Sequence, residues 1–268
     1  MVGLDPEDFL FDSLQTLYDY HPITLTTAGK SFVHVADGPD GPVSISLNTP
    51  DTSARNWELH ASSIWVSSIY LADHIARLQI DTSIGAQPPP FRILELGASA
   101  GLPSILIAKL FPNISVIASD YPDQALIGAL TDNVQANNVA DNCRAVPFAW
   151  GTDPAQFIPG VGDGFDLVIA ADTLWNTDFH AIFIDALKRT LRKTSSARVH
   201  LVAGLHTGRY TIKGFIERAV ASGLELISID ENEANGNRSR EWSAEKSGED
   251  EGERRRWIIW IQLKWADL

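Results

Sequence analysis

Arg92-Ile93-Leu94-Glu95-Leu96, then Gly97-Ala98-Ser99-Ala100-Gly101, then Leu102-Pro103-Ser104-Ile105-Leu106-Ile107-Ala108-Lys109-Leu110 is the stretch on which the fold turns. A short apolar run, a glycine-bearing break and a longer apolar run read as strand, turn and helix, the unit from which parallel sheets are wound. Glycine at each end of the turn lets backbone approach a ligand closely and leaves the first amides of the helix facing it. Such a turn alone is a common device, and its meaning comes from the next strand.

Ser115 to Ser119 reads as that strand and closes on Asp120, roughly 20 residues beyond the turn, where a carboxylate can accept from both hydroxyls of a ribose. Tyr121 follows and offers a face for an adenine ring. The competing reading of Asp120 is an N-cap for the helix after Pro122. Glu95, two residues before Gly97, can accept from an ammonium group. The methionine moiety of S-adenosylmethionine carries one; a nicotinamide dinucleotide does not.

Working outward, Arg144 to Phe148, Leu167 to Ala171, Val199 to Ala203 and Leu224 to Ile229 read as further strands, with helices at Asp123 to Asn137, Asp178 to Leu191 and Thr211 to Ser222. The alternation predicts a parallel sheet with helices on both faces. Residues 231–253, rich in Asn, Gly, Ser and Glu, read as an acidic, flexible, solvated loop. Trp257 to Lys264 is a seventh strand. With no helix between the sixth and seventh strands, the two are predicted to pair antiparallel, an ending that separates a methyltransferase sheet from a dehydrogenase sheet. The expected fold is α/β, a Rossmann-like seven-stranded sheet that is mostly parallel with an antiparallel last strand.

Upstream, Ser31 to Val35 and Val43 to Leu47 alternate in polarity around Asp37-Gly38-Pro39-Asp40-Gly41, which predicts a hairpin with a loop longer than the tightest two-residue type. Trp57 to Leu78 reads as a helix with Ile64, Trp65, Ile69, Leu71, Ala72 and Ile75 on its apolar stripe. The domain reading is an N-terminal extension over 1–55 and a cofactor-binding domain over 56–268.

Composition bounds the function. The chain has 268 residues, 44% hydrophobic and 21% charged, which suits one large globular domain. Its formal net charge of −13 repels phosphate backbones, so nucleic acid is excluded as a partner and a cationic one fits better. One cysteine, Cys143, allows no internal disulfide, and no Cys/His cluster has zinc spacing, so a metal-independent cytoplasmic protein is expected. No segment reaches the ~18 apolar residues of a membrane span. Nothing demands more than a monomer.

The run Glu95 to Ser104, followed by Ser119-Asp120-Tyr121-Pro122-Asp123, Trp150-Gly151 and Ala171-Asp172, resembles the family 16 lysine methyltransferases. Asp-Tyr-Pro-Asp and Asp172-Thr173-Leu174-Trp175-Asn176 most resemble the nicotinamide-N-methyltransferase-like fungal branch, which includes enzymes that methylate elongation factor 1-alpha. The resemblance spans roughly Trp57 to Lys264. It implies that S-adenosylmethionine is the cofactor, that Glu95, Gly97 and Gly101 form the first cofactor motif, and that Asp120 is the ribose-binding acid. It further implies that Trp150 flanks adenine, that Trp65 lies near the methionine end, that Asp172 and Trp175 form the Asp-x-x-aromatic motif, and that Ala171, just before it, binds the cofactor. Two departures stand out. Ser99 occupies a position where glycine is common, which crowds the turn without excluding the cofactor, and Trp175 replaces the usual tyrosine.

In-line methyl transfer to an amine needs a positioned, neutral nucleophile and exclusion of water. Asp172 is the candidate to orient the incoming nitrogen, and Trp175 the candidate to bound its channel by a cation–π contact. His206, beyond the fifth strand, is a further rim candidate. The resemblance favours a protein lysine or N-terminal amine as acceptor, with elongation factor 1-alpha leading; a nicotinamide-like or natural-product amine is the alternative. Two readings compete with catalysis of this kind: a non-catalytic cofactor-binding module, and a serine hydrolase, because Gly97 to Gly101 spells G-x-S-x-G with Asp172 and His206 following in hydrolase order.

Overall fold

A computed structural model describes residues 21–51, 59–86, 90–158, 164–236 and 238–268. Strands β3 (Arg92–Leu96), β4 (Ser115–Asp120), β5 (Cys143–Pro147), β6 (Leu167–Ala171) and β7 (Arg198–Gly204) run parallel. Helices α3 (Leu102–Leu110), α4 (Gln124–Ala136) and α5 (His180–Thr190) follow β3, β4 and β6, and α6 (Arg209–Ala221) follows β7. Alternate residues of β3 serve opposite cores, Ile93 one face and Leu94 and Leu96 the other. A sheet covered on both sides needs apolar residues at nearly every position, and that need made these runs readable.

The antiparallel ending is present. Strand β10 (Trp257–Trp265) lies between β7 and β8 (Leu224–Glu233), antiparallel to both, in the order β5-β4-β3-β6-β7-β10-β8-β9. Among the described residues the sheet has eight strands where seven were predicted. Strand β9 (Ser239–Glu241) and the short helix α7 (Glu251–Arg255) arise from the stretch read as a flexible loop. Its charges are paired inward: Arg209 grips the fully buried Glu231 through two bonds of 2.6 and 2.9 Å and Glu249 through two more of 2.6 and 2.8 Å, while Arg240 also reaches Glu231. A buried charge is tolerated only when paired in this way, and the pairing folds the segment down.

Strands β1 (Ser31–Gly38) and β2 (Gly41–Asn48) form the predicted hairpin, but Gly38 pairs with Gly41, leaving the two-residue loop Pro39-Asp40 instead of a longer one. Gly41 has φ +122°, so the strands pair right up to the turn. The hairpin docks on α4. Asn137 exchanges bonds with the backbone of Ser46 (3.0 and 2.8 Å), and Asn133 does so with Asn48 (2.8 and 2.9 Å), like rungs of a ladder. Asn133 also donates to the carbonyl of Ala100, tying the hairpin to the glycine turn.

The predicted helix from Trp57 is overturned in part. Residues 52–58 lie outside the described residues, and 59–65, apart from a 3-10 conformation at Leu59, form a non-helical strap. Thr24 bridges Trp65, Leu25 donates to Ile64 and Val66 to Ile23. Only then does α1 (Val66–Asp73) begin, followed by a 3-10 turn (Ile75–Leu78) and α2 (Ile80–Ala86). Pairing with a distant segment outweighs local helical periodicity here. Among the described residues no helix is long and apolar enough to cross a membrane, and no group of His, Cys, Asp and Glu has metal-binding geometry.

Candidate active site

Strand β3 pairs with β4 on one side and β6 on the other, so the chain departs in opposite directions from its carboxyl end and leaves a crevice there. The turn after β3 is held by β4, since Gly97 and Ala98 both donate to the carbonyl of Ser119 (2.9 and 3.0 Å). Gly97 has φ +73°, and a Cβ there would lie 2.9 Å from the Thr173 methyl group and 3.6 Å from the Trp150 ring. The backbone is thus bare where the cavity meets the turn.

Asp120 is fixed by two amides, Ser99 N–H to one oxygen (2.6 Å) and Tyr121 N–H to the other (2.7 Å). A carboxylate accepts about four hydrogen bonds, so each oxygen keeps capacity for a ligand hydroxyl. Burial pushes its pKa up to about 6 against the pull of those two amides. The N-cap reading fails: α4 is capped by Asp123, which accepts from Ala125 and Leu126 at 2.9 and 3.0 Å.

These groups open on a cavity of about 180 Å³. Gly97, Ser99, Asp120 and Tyr121 line it from the ends of β3 and β4. Ala171, Asp172 and Trp175 line it from the end of β6, Trp150 from the segment after β5, and Trp65 from the head of α1. Phe183 backs Trp150 at 4.5 Å between ring centroids. Glu95 and Gly101 sit in an adjoining recess of about 20 Å³ that shares Trp65, Gly97 and Ala171 with the main cavity. The Glu95 carboxylate accepts from the Ser104 amide (3.0 Å) and hydroxyl (2.5 Å), and burial raises its pKa to about 8 in spite of both bonds. Gly101 answers a packing need: a Cβ there would strike Leu130 at 2.5 Å.

Asp172 is buried, with φ +55°. Its Oδ2 accepts from the Ser67 hydroxyl (2.8 Å) and its Oδ1 from the Gly204 amide (3.1 Å). The imidazole of His206 stands 3.8 Å from Oδ1 and stacks on Trp65 with 5.7 Å between centroids. His206 therefore stands behind the wall that Trp65 and Asp172 present. The hydrolase arrangement is not assembled, because the Ser99 hydroxyl donates to the Ala61 carbonyl (2.6 Å) instead of to an imidazole.

Sequence reasoning missed His60, Ala61, Ser67 and Thr173. Thr173 lies between two motif residues and lines the cavity, and its buried hydroxyl oxygen has no hydrogen-bond partner among the described residues. The other three come from the strap and from α1, where no local pattern marked them. The site suits an adenosyl cofactor on two counts: a bare glycine backbone and a carboxylate with spare acceptor capacity, both facing one apolar-walled space.

A family model described as lysine methyltransferase matches residues 53–219. The chain is similar to the protein N-terminal and lysine N-methyltransferase efm7 of Schizosaccharomyces pombe, 31% identical over 199 residues that cover 71% of this chain and 73% of that protein. It is also similar to the protein N-terminal and lysine N-methyltransferase EFM7 of Gibberella zeae, 30% identical over 156 residues that cover 52% of this chain and 58% of that one. Among solved structures, the METTL16 MTase domain aligns with a TM-score of 0.49 at 13% identity, covering 71% of this chain and 66% of that one.

Proposed function

The chain belongs to the lysine methyltransferase family, and from that premise we propose that it methylates a protein amine, either an N-terminal α-amine or a lysine, with elongation factor 1-alpha as the leading acceptor. It is an S-adenosylmethionine-dependent enzyme. The proposal includes the cytoplasm as its compartment, a monomeric state, and catalysis lodged in residues 56–268 with 1–55 as an appended extension.

When bound, S-adenosylmethionine supplies a methyl group already activated by its sulfonium charge. The work left to the protein is positioning and exclusion of water. Asp120 accepts from the ribose hydroxyls, Gly97 and Ser99 give the cofactor a close backbone, and Tyr121 and Trp150 flank the adenine. Glu95, Gly101, Trp65 and Ala171 form the methionine end. Asp172 holds the incoming nitrogen by its proton, and Trp175 walls the acceptor path.

The observation that carries this reading is the Asp120 carboxylate, pinned by the Ser99 amide and open to the cavity. It is tested by incubating the purified protein with methyl-labelled cofactor, first with elongation factor 1-alpha and then with a proteome. Label in protein acid hydrolysates as methylated lysine or methylated N-terminal residue supports it. Label confined to dialysable molecules moves the acceptor to a small amine, and cofactor binding without any labelled acceptor leaves a non-catalytic module.

A further inference from the structure

Ser99 departs from the glycine expected in the turn, and the structure shows what its side chain does. The contact with Asp120 uses the Ser99 amide, which glycine supplies equally. The hydroxyl instead donates 2.6 Å to the carbonyl of Ala61, 38 positions earlier, in the strap between residue 59 and α1. The neighbouring carbonyl, that of His60, accepts from the Trp65 indole N–H at 2.8 Å. Two successive strap carbonyls are thus captured by side chains at the cavity, one from the glycine turn and one from the head of α1.

The strap forms part of the cavity wall, with Leu59, His60 and Ala61 all lining it. His60 has φ +50°, and its ring meets Trp175 edge-on at 5.0 Å between centroids. The strap therefore spans from the cofactor turn at Ser99 to the end of β6 at Trp175. Ser99 itself has φ +49°, a region that penalises any side chain and favours glycine. A serine that accepts this conformation, while its backbone does what glycine would do, is explained by its hydroxyl.

We infer that Ser99 is a positioning residue whose hydroxyl latches the strap at Ala61 over the cofactor cavity, so that cofactor exchange requires this bond and the His60–Trp175 contact to open. The inference rests on S-adenosylmethionine occupying that cavity. A hydrogen bond of this kind, lost from the closed state alone, changes an opening equilibrium about five- to tenfold.

The test is the dissociation rate of labelled S-adenosylmethionine from the full chain, chased with excess unlabelled cofactor, in wild type, Ser99→Gly, Ser99→Ala and Trp65→Phe. Release about five- to tenfold faster in both Ser99 variants is expected, with faster amide hydrogen exchange over residues 61–64. Ser99→Gly is the decisive variant, because glycine relieves the backbone penalty: its unfolding midpoint is expected to hold or rise while release accelerates. Trp65→Phe, which removes the indole donor to His60, is read in the ligand-free protein, because Trp65 itself lines the cavity: strap exchange is expected to be faster there even if a turn variant folds poorly. A wild-type release rate in Ser99→Gly, with unchanged strap exchange in Ser99→Gly and in Trp65→Phe, overturns the latch. Absence of binding by the wild type overturns the cofactor reading of the cavity, and the latch with it.

Discussion

Ser67 and Asp172 lie 105 positions apart and meet through a buried hydrogen bond of 2.8 Å, the serine hydroxyl donating to one carboxylate oxygen while the Gly204 amide holds the other. A residue on α1 thereby aims the acid at the end of β6. If Asp172 holds the acceptor nitrogen, Asp172→Asn should lower kcat/KM by about 100-fold, the scale of one charged positioning contact. Asparagine tolerates the left-handed backbone at this position, so the fold is preserved. Ser67→Ala leaves the acid in place but less fixed and should cost about fivefold. Steady-state kinetics at saturating cofactor check both, and an Asp172→Asn enzyme of full activity removes this residue from the mechanism.

If Asp120 accepts from both ribose hydroxyls, Asp120→Ala should weaken S-adenosylmethionine about 100-fold or more through the loss of two hydroxyl-to-carboxylate bonds. The same group predicts a pH effect. With its pKa near 6, Asp120 loses its acceptor charge as pH falls from 7 to 5, and affinity should fall with it. Isothermal titration across that range is the measurement. A pH-independent affinity in the wild type, or full affinity in the variant, contradicts the assignment.

Glu95 and Asp120 together set a stability prediction. Both are held above their ordinary values, to about 8 and about 6, chiefly by burial. For a group whose folded pKa is raised, the stabilising contribution is complete below the unfolded value and is lost as pH rises through the folded one. The ligand-free protein should therefore lose melting temperature between pH 5 and pH 8.5. Glu95→Gln, which cannot ionise, should flatten the upper part of that decline. Thermal unfolding at several pH values measures it, and equal slopes in the two proteins exclude Glu95 as the source.

Asn133, on α4, and Asn137, which caps its end, separate two roles. Each binds β2 by a pair of amide bonds, but only Asn133 also reaches the Ala100 carbonyl in the cofactor turn. Either alanine substitution should destabilise the protein by about 1–3 kcal/mol, because several partly buried hydrogen bonds are lost together. Only Asn133→Ala should also weaken S-adenosylmethionine binding. Denaturant titration with calorimetry distinguishes them, and equal cofactor affinities refute the coupling of hairpin to turn.

What the sequence revealed and concealed follows from where each constraint lies. Strands β3, β4, β6 and β7 are buried on both faces, so their apolar runs stand out locally, and the distance from Gly97 to Asp120 follows from one strand–helix–strand repeat. The strap at 59–65 looked helical because Ile64 and Trp65 continue the apolar stripe of α1, whereas its pairing with Ile23 to Leu25 is non-local. Ala61 and Ser67 reach Ser99 and Asp172 across 38 and 105 positions, separations at which no periodicity survives. Residues 231–253 display their charges openly, but whether those charges face solvent depends on Arg209, 22 positions before Glu231.

That ion cluster gives the last prediction. Burial alone lowers the affinity of Arg209 for its proton, but its bonds to Glu249 and Glu231 more than reverse this, so its charge is secure at any working pH. Glu231 is wholly buried and depends on Arg209 and Arg240 for compensation. Replacing Arg209 by methionine keeps much of the packing volume and leaves that carboxylate short of a partner, which costs about 3–5 kcal/mol. Replacing both Arg209 and Glu231, by methionine and glutamine, removes the stranded charge along with its partner, so the double variant should be more stable than the sum of the single losses implies. The cluster is sheltered from solvent, so added salt should screen the effect little. Denaturant unfolding of the four proteins at low and high ionic strength provides the cycle. Strict additivity means that Glu231 does not depend on Arg209, and the account of how residues 231–253 are held to the sheet then fails.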